Sequence, residues 1–115
     1  MIYLFSGDDT KKKLLIYEKF LKSIPTNVEK FFVNRNDFNP TQIESFYSGS
    51  GLFYKKCAII FSNILENESE RDFIFKKIEL MQESENLFIF SERNLSKPTV
   101  DAFKKVKAEL NIFEL

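Results

Sequence analysis

Short apolar runs alternate along the chain with longer segments in which apolar residues recur every three or four positions. The runs predict strands, and the longer segments predict amphipathic helices. The predicted strands are Met1–Phe5, Phe31–Val33, Cys57–Phe61, Leu87–Phe90 and a last one that begins at Ile112. The predicted helices run from about Asp8 to just before Pro25, from Pro40 to Ser48, from Glu66 to Ser84 and from Pro98 to Leu110.

This order predicts the fold class. Short strands that alternate with helices form parallel sheets covered on both faces and joined by right-handed crossovers. We therefore predict an α/β fold in which an open five-stranded parallel sheet lies between helices in three layers. A chain of 115 residues is the length of one domain, and no repeat or linker marks a second, so we expect a single domain over residues 1–115.

The first predicted helix begins at an acidic pair, and Asp8 or Asp9 is expected to cap it. Its apolar residues recur at helical spacing and predict the side that packs on the sheet. They are Leu14, Leu15, Ile16, Phe20, Leu21 and Ile24.

Composition excludes several classes of function. The 17 basic and 17 acidic residues cancel, so a nucleic acid or an anionic membrane could be attracted only by a local patch. The longest apolar runs are far shorter than the roughly 20 residues that span a bilayer, and the chain does not open like a signal peptide, so a cytoplasmic location is expected. With no histidine and one cysteine, Cys57, the chain has neither His-based catalysis nor a Cys/His zinc site, and Cys57 should be buried and reduced.

Ligands of open parallel sheets bind at the carboxyl ends of the strands. The segments at these ends are Ser6–Thr10, Asn34–Asp37, Ser62–Asn63 and Ser91–Asn94. A P-loop would need a glycine-rich turn that ends in Gly-Lys-Ser/Thr, but the turn after the first strand carries Asp8 and Asp9, which repel phosphate. The lysines at 11–13 come too late along the helix. We therefore expect no nucleotide, metal or other cofactor.

The same acidic pair also suits a second class of protein. Response-regulator receivers have this length and bind magnesium through such acids, beside a phosphoacceptor Asp that ends the third strand. This chain has Ser62-Asn63 there, and it lacks the lysine expected in residues 111–115. A receiver-like or degenerate nucleotide-binding signalling domain remains the alternative, and magnesium-dependent binding of a phosphoryl donor at Asp8 and Asp9 would identify it.

Three segments together resemble the N-terminal domain of the delta subunit of the bacterial DNA polymerase III clamp loader. They are the strand and turn of Met1–Thr10, the segment Ser48–Phe53 before the third strand, and Leu87–Lys97. The resemblance covers nearly the whole chain, without the helical second domain and the collar domain of a full delta subunit. It implies a P-loop NTPase fold of the AAA+ type that lacks a functional P-loop.

The resemblance also implies a function and a site. In that family a Leu-Phe pair at the position of Leu52 and Phe53 binds the sliding clamp, and the clamp-bound domain helps to open the ring during DNA replication. Support is expected from Phe46, Tyr47 and Tyr54. The implied partners are the clamp (the beta subunit), other clamp-loader subunits and, in the full assembly, DNA. No catalytic activity of its own is expected within the DNA polymerase III holoenzyme. Without the resemblance, the sequence favours neither role for Leu52 and Phe53, which could pack in the core below the third strand or remain exposed for a partner.

Overall fold

The computed structural model of the chain describes residues 1–48 and 55–115. Within them strands and helices alternate as the apolar pattern predicts. The strands are β1 (Ile2–Ser6), β2 (Glu29–Val33), β3 (Cys57–Ser62), β4 (Leu87–Ser91) and β5 (Glu109–Ile112). The helices are α1 (Thr10–Ser23), α2 (Pro40–Tyr47), α3 (Glu68–Glu83) and α4 (Lys97–Lys105), with a single 3₁₀ turn at Arg35–Asp37.

Side-chain caps begin three of the helices. Asp9 accepts a hydrogen bond from the backbone amide of Lys12 at 3.2 Å and starts α1, so the predicted acidic cap is confirmed. Asn39 accepts from two amides at the start of α2, where Pro40 occupies the first turn. Asn67 caps α3 in the same way. Local sequence therefore determines where these helices begin.

The five strands in the described residues are all parallel and lie in the order β2-β3-β4-β1-β5. The predicted open parallel sheet is thus confirmed. In a receiver the first strand lies between the second and the third. Here β1 pairs with β4 and β5 instead, so the receiver-like alternative is wrong.

Helices cover both faces of the sheet and make the predicted three layers. One face carries α2, α3 and α4 over the larger core, where the rings of Phe61 and Phe90 stack with centroids 4.6 Å apart and Phe103 of α4 meets Phe90 at 5.3 Å. Of the described helices only α1 lies on the other face, and its Phe20 packs on Phe5 of β1. The sheet is therefore covered more heavily on one face.

Helix α1 packs through fewer residues than its apolar pattern predicts. Tyr17, Phe20 and Leu21 lie against the sheet, whereas Leu14 and Leu15 are 53% and 64% exposed. Ile16 is exposed as well. Three consecutive residues of a helix point in directions about 100° apart, so they cannot all lie on one packed face.

The end of α4 also differs from the prediction, which extended it to Leu110. The helix ends at Lys105, because Lys107 adopts a left-handed conformation with φ 63°. The amide of Ala108 then donates to the carbonyl of Phe103 at 3.1 Å, and that of Lys107 donates to Lys104 at 2.9 Å, which is a Schellman cap. The chain can thus enter β5 at Glu109, three residues before the predicted start at Ile112.

Candidate functional site

The turn between β1 and α1 occupies the position where a P-loop would bind phosphate. Gly7 has φ 124°, and its amide donates to the carbonyl of Arg93 at 3.2 Å. A Cβ atom at Gly7 would lie 1.9 Å from the carbonyl oxygen of Phe113. The segment after β5 therefore lies directly against this turn, and only glycine fits there.

The hydrogen-bonding groups of this turn are bonded to the chain itself. The amide of Asp9 donates to the carbonyl of Phe113 at 3.1 Å, and the amide of Phe113 donates to Ser6 at 2.8 Å. Asp8 Oδ1 accepts from the amide of Leu115 at 2.9 Å. A phosphate would have to displace these contacts and approach two carboxylates, which agrees with the expectation that the P-loop is not functional.

Glu92, at the carboxyl end of β4, is a buried acid within the predicted segment Ser91–Asn94, for which no individual role was predicted. Its side chain has no exposed surface. Its two carboxylate oxygens accept from the amides of Ile64 and Leu65, each at 3.1 Å, and its carbonyl accepts from Lys13 Nζ at 2.7 Å. Burial raises the pKa of this carboxyl to about 7 against the opposing effect of the two amides. An acid directly after a buried apolar strand was the available signal.

The polar residues at the ends of β2 and β3 line an open cleft of about 550 Å³. Asn34 Oδ1 accepts from the amides of Asn36 and Asp37, and Asn67 caps α3, so both side chains stabilise turns. In residues 1–48 and 55–115 no three Cys, Asp or Glu side chains come together as metal ligands. Asn34 and Asn67 at this edge therefore serve to stabilise a turn and the start of a helix.

The predicted clamp-binding residues come just before β3 in the sequence or belong to α2. Leu52, Phe53 and Tyr54 fall within residues 49–54, outside the described part of the chain. Phe46 and Tyr47 are described and are 4% and 9% exposed. With Ile43 they form the inner side of α2 at positions i, i+3 and i+4. They are therefore core residues, and the prediction that they support clamp binding from an exposed surface is wrong.

A single side chain joins the two ends of the connection between α2 and β3. Asn86 Nδ2 donates to the carbonyl of Phe46 at 2.8 Å, and Asn86 Oδ1 accepts from the amide of Cys57 at 2.9 Å. Ser84 Oγ adds a bond of 3.3 Å to the same carbonyl of Phe46. Cys57 is buried and free, as predicted, and burial raises the pKa of its thiol. Nothing in the sequence near Leu52 pointed to Asn86.

No helix within the described ranges is both long and apolar enough to cross a bilayer. The sequence matches no family model and no curated protein. Among 21 matching chains of solved structures is a DNA polymerase III gamma subunit-related protein from Thermotoga maritima. It is 14% identical with a TM-score of 0.49, and the match covers 99% of this chain but only 40% of that one. A similarity this low carries no argument about function.

Proposed function

We propose that this chain is a clamp-loader domain of the delta type, which binds the sliding clamp of bacterial DNA polymerase III and helps to open it during DNA replication. The observation that carries the proposal is the position of the Leu52-Phe53 pair in the sequence. The pair lies in the connection between α2 and β3, and Asn86 bonds to both ends of that connection. Two large apolar residues, Leu52 and Phe53, in a connection whose ends are held in this way are suited to bind in a pocket of a partner protein.

The fold and the β1–α1 turn support this choice of family. The AAA+ module that the resemblance implies has its first strand between the fourth and the fifth, and this chain has the same order. The turn that would bind nucleotide is closed by the chain around Phe113. A module of this kind acts through binding alone, while other loader subunits use ATP.

The energy available from the anchor sets what else the contact needs. Burying one leucine and one phenylalanine contributes about 3–6 kcal/mol, whereas micromolar affinity needs about 8 kcal/mol. Phe46 and Tyr47 belong to the core and cannot supply the rest of this binding energy. We assign it to Tyr54 and to the next two residues, Lys55 and Lys56, which are exposed. The proposed contact surface is therefore Leu52–Lys56.

The mechanism is differential binding. A ligand shifts the equilibrium between closed and open rings only by the ratio of its affinities for the two forms. This domain would bind the open ring more tightly and would need no catalytic residue. Other clamp-loader subunits and DNA would join in the full assembly, in the bacterial cytoplasm.

The test is a double variant, Leu52→Ala with Phe53→Ala, measured against a bacterial sliding clamp. We expect the Kd to rise at least tenfold, which corresponds to about 1.4 kcal/mol, with the Tm nearly unchanged. The matched control is Leu14→Ala with Leu15→Ala, because these exposed residues lie on α1 at the opposite face of the sheet from α2. Core residues would instead cost about 2–5 kcal/mol of stability each. A stable double variant that binds at full strength would exclude this site.

A further inference from the structure

Asn86 lies in the short segment between α3 and β4, and both ends of its side-chain amide are used. Its NH₂ group donates to the carbonyl of Phe46, near the end of α2, and its oxygen accepts from the amide of Cys57, at the start of β3. These two backbone groups are eleven positions apart in the chain. A carboxamide side chain can hold both of them because it carries a donor and an acceptor on one carbon.

Further hydrogen bonds hold the backbone of Asn86, whose carbonyl accepts from the N-terminal ammonium of Met1 at 3.0 Å. Its own amide donates to Ser84 Oγ at 3.1 Å, and the same Oγ bonds to the carbonyl of Phe46 at 3.3 Å. Ser84 in turn caps α3 through bonds from its amide to Leu80 and Met81. Both ends of the α2–β3 connection are thereby hydrogen-bonded to residues at the end of α3.

We infer that Asn86 is a positioning residue, which sets the separation of the two ends of the α2–β3 connection and so tunes its affinity for the sliding clamp. This inference rests on the proposed function. A side chain that holds the two ends of a binding segment at a fixed separation lowers the entropy lost on binding. Loss of Asn86 would therefore weaken clamp binding although Asn86 itself need not touch the clamp.

Gln82 provides a matched control within the same protein. Its side-chain amide also bridges two backbone groups, since Oε1 accepts from Ile2 at 2.8 Å and Nε2 donates to Lys107 at 3.0 Å. Those groups belong to β1 and to the turn between α4 and β5, neither of which Asn86 contacts through its side-chain amide. Asn86→Ala and Gln82→Ala thus remove the same kind and number of bonds at different places.

The experiment measures the Kd for a bacterial sliding clamp, the Tm and the exchange rate of the Cys57 amide in the wild type and in both variants. We expect both variants to lose a similar Tm, whereas only Asn86→Ala binds at least tenfold more weakly and exchanges Cys57 faster. Asn86→Asp, which keeps the acceptor for Cys57 but turns a carboxylate oxygen toward the carbonyl of Phe46, should bind no better than Asn86→Ala.

The outcomes separate this inference from the proposed function. If the wild type binds the clamp and the Leu52/Phe53 double variant does not, but Asn86→Ala binds like the wild type, the inference is wrong and the function stands. Equal losses of affinity in Asn86→Ala and Gln82→Ala would mean that Asn86 acts only through stability. A wild-type chain that does not bind the clamp overturns both. If Asn86→Ala does not fold, Asn86→Asp and Asn86→Ser at a lower temperature take its place in the same comparison.

Discussion

Gly7 and Phe113 are in such close contact that a Cβ atom on residue 7 would lie only 1.9 Å from the carbonyl oxygen of Phe113. The same carbonyl accepts from the amide of Asp9 at 3.1 Å. The segment that follows β5 thus closes the β1–α1 turn. In the described part of the chain, the turn where a P-loop would bind phosphate is therefore bonded to the backbone at Phe113.

This contact predicts that Gly7→Ala destabilises the fold. The positive φ of Gly7 strains any other residue, and the new methyl group displaces the backbone at Phe113, for a combined loss of about 3 kcal/mol. Urea unfolding measures it. Thr10→Ala, an exposed change at the first position of α1, is the control and should stay within about 0.5 kcal/mol. A Gly7→Ala variant as stable as the wild type would show that the turn is not closed by Phe113.

The closed turn also predicts that the chain does not bind ATP. The amides of Gly7 and Asp9 are already bonded within the chain, and the carboxylates of Asp8 and Asp9 in the same turn would repel a phosphate. Calorimetric titration with Mg-ATP should show no binding below millimolar concentration. A micromolar Kd would bring back the degenerate nucleotide-binding alternative.

Glu92 predicts a pH dependence of stability. Its pKa is raised from 4.5 to about 7 by burial, so between these values the folded chain binds more protons than the unfolded chain. The unfolding free energy should therefore fall as the pH rises from about 4.5 to about 7, by on the order of 3 kcal/mol, and change little from this group above that.

Urea unfolding of the wild type and of Glu92→Gln at pH 5 and pH 7.5 measures this effect. The variant cannot titrate at this position, so its stability should change much less between the two pH values. Glu79→Gln serves as the control because Glu79 is an exposed acid of α3 that is not among the groups that shift the pKa of Glu92, and it should keep the wild-type slope. The same slope in Glu92→Gln and the wild type would assign the pH dependence to other acids.

Lys107→Gly should stabilise the chain. Lys107 adopts the left-handed conformation of a Schellman cap with φ 63°, where glycine carries no steric penalty, so the gain should be about 1 kcal/mol. Thermal unfolding measures it. Lys104→Gly inside α4 is the control and should lose about 1 kcal/mol. A loss of stability in Lys107→Gly would place the end of α4 elsewhere.

Most of the secondary structure could be predicted from the sequence, since its signals are local. Asp9 and Asn39 cap helices through bonds to amides two or three residues away, and an apolar run such as Cys57–Ser62 is a buried strand in any α/β sheet. These features depend on neighbours within a few positions. The predicted bounds of most elements therefore agree with the structure to about two residues.

The site depends on contacts that no local pattern contains. Asn86 meets Phe46 across 40 positions of sequence, and Glu92 meets Ile64 across 28. Whether β1 lies beside β2 or beside β4 and β5 is likewise a choice between sheets with the same apolar runs. The sequence by itself determined the strands, the helices and the missing P-loop lysine. Only the tertiary structure decided that Asn86 bonds to both ends of the α2–β3 connection and that Phe113 closes the turn at Gly7. Such pairings follow from the packing of the whole sheet.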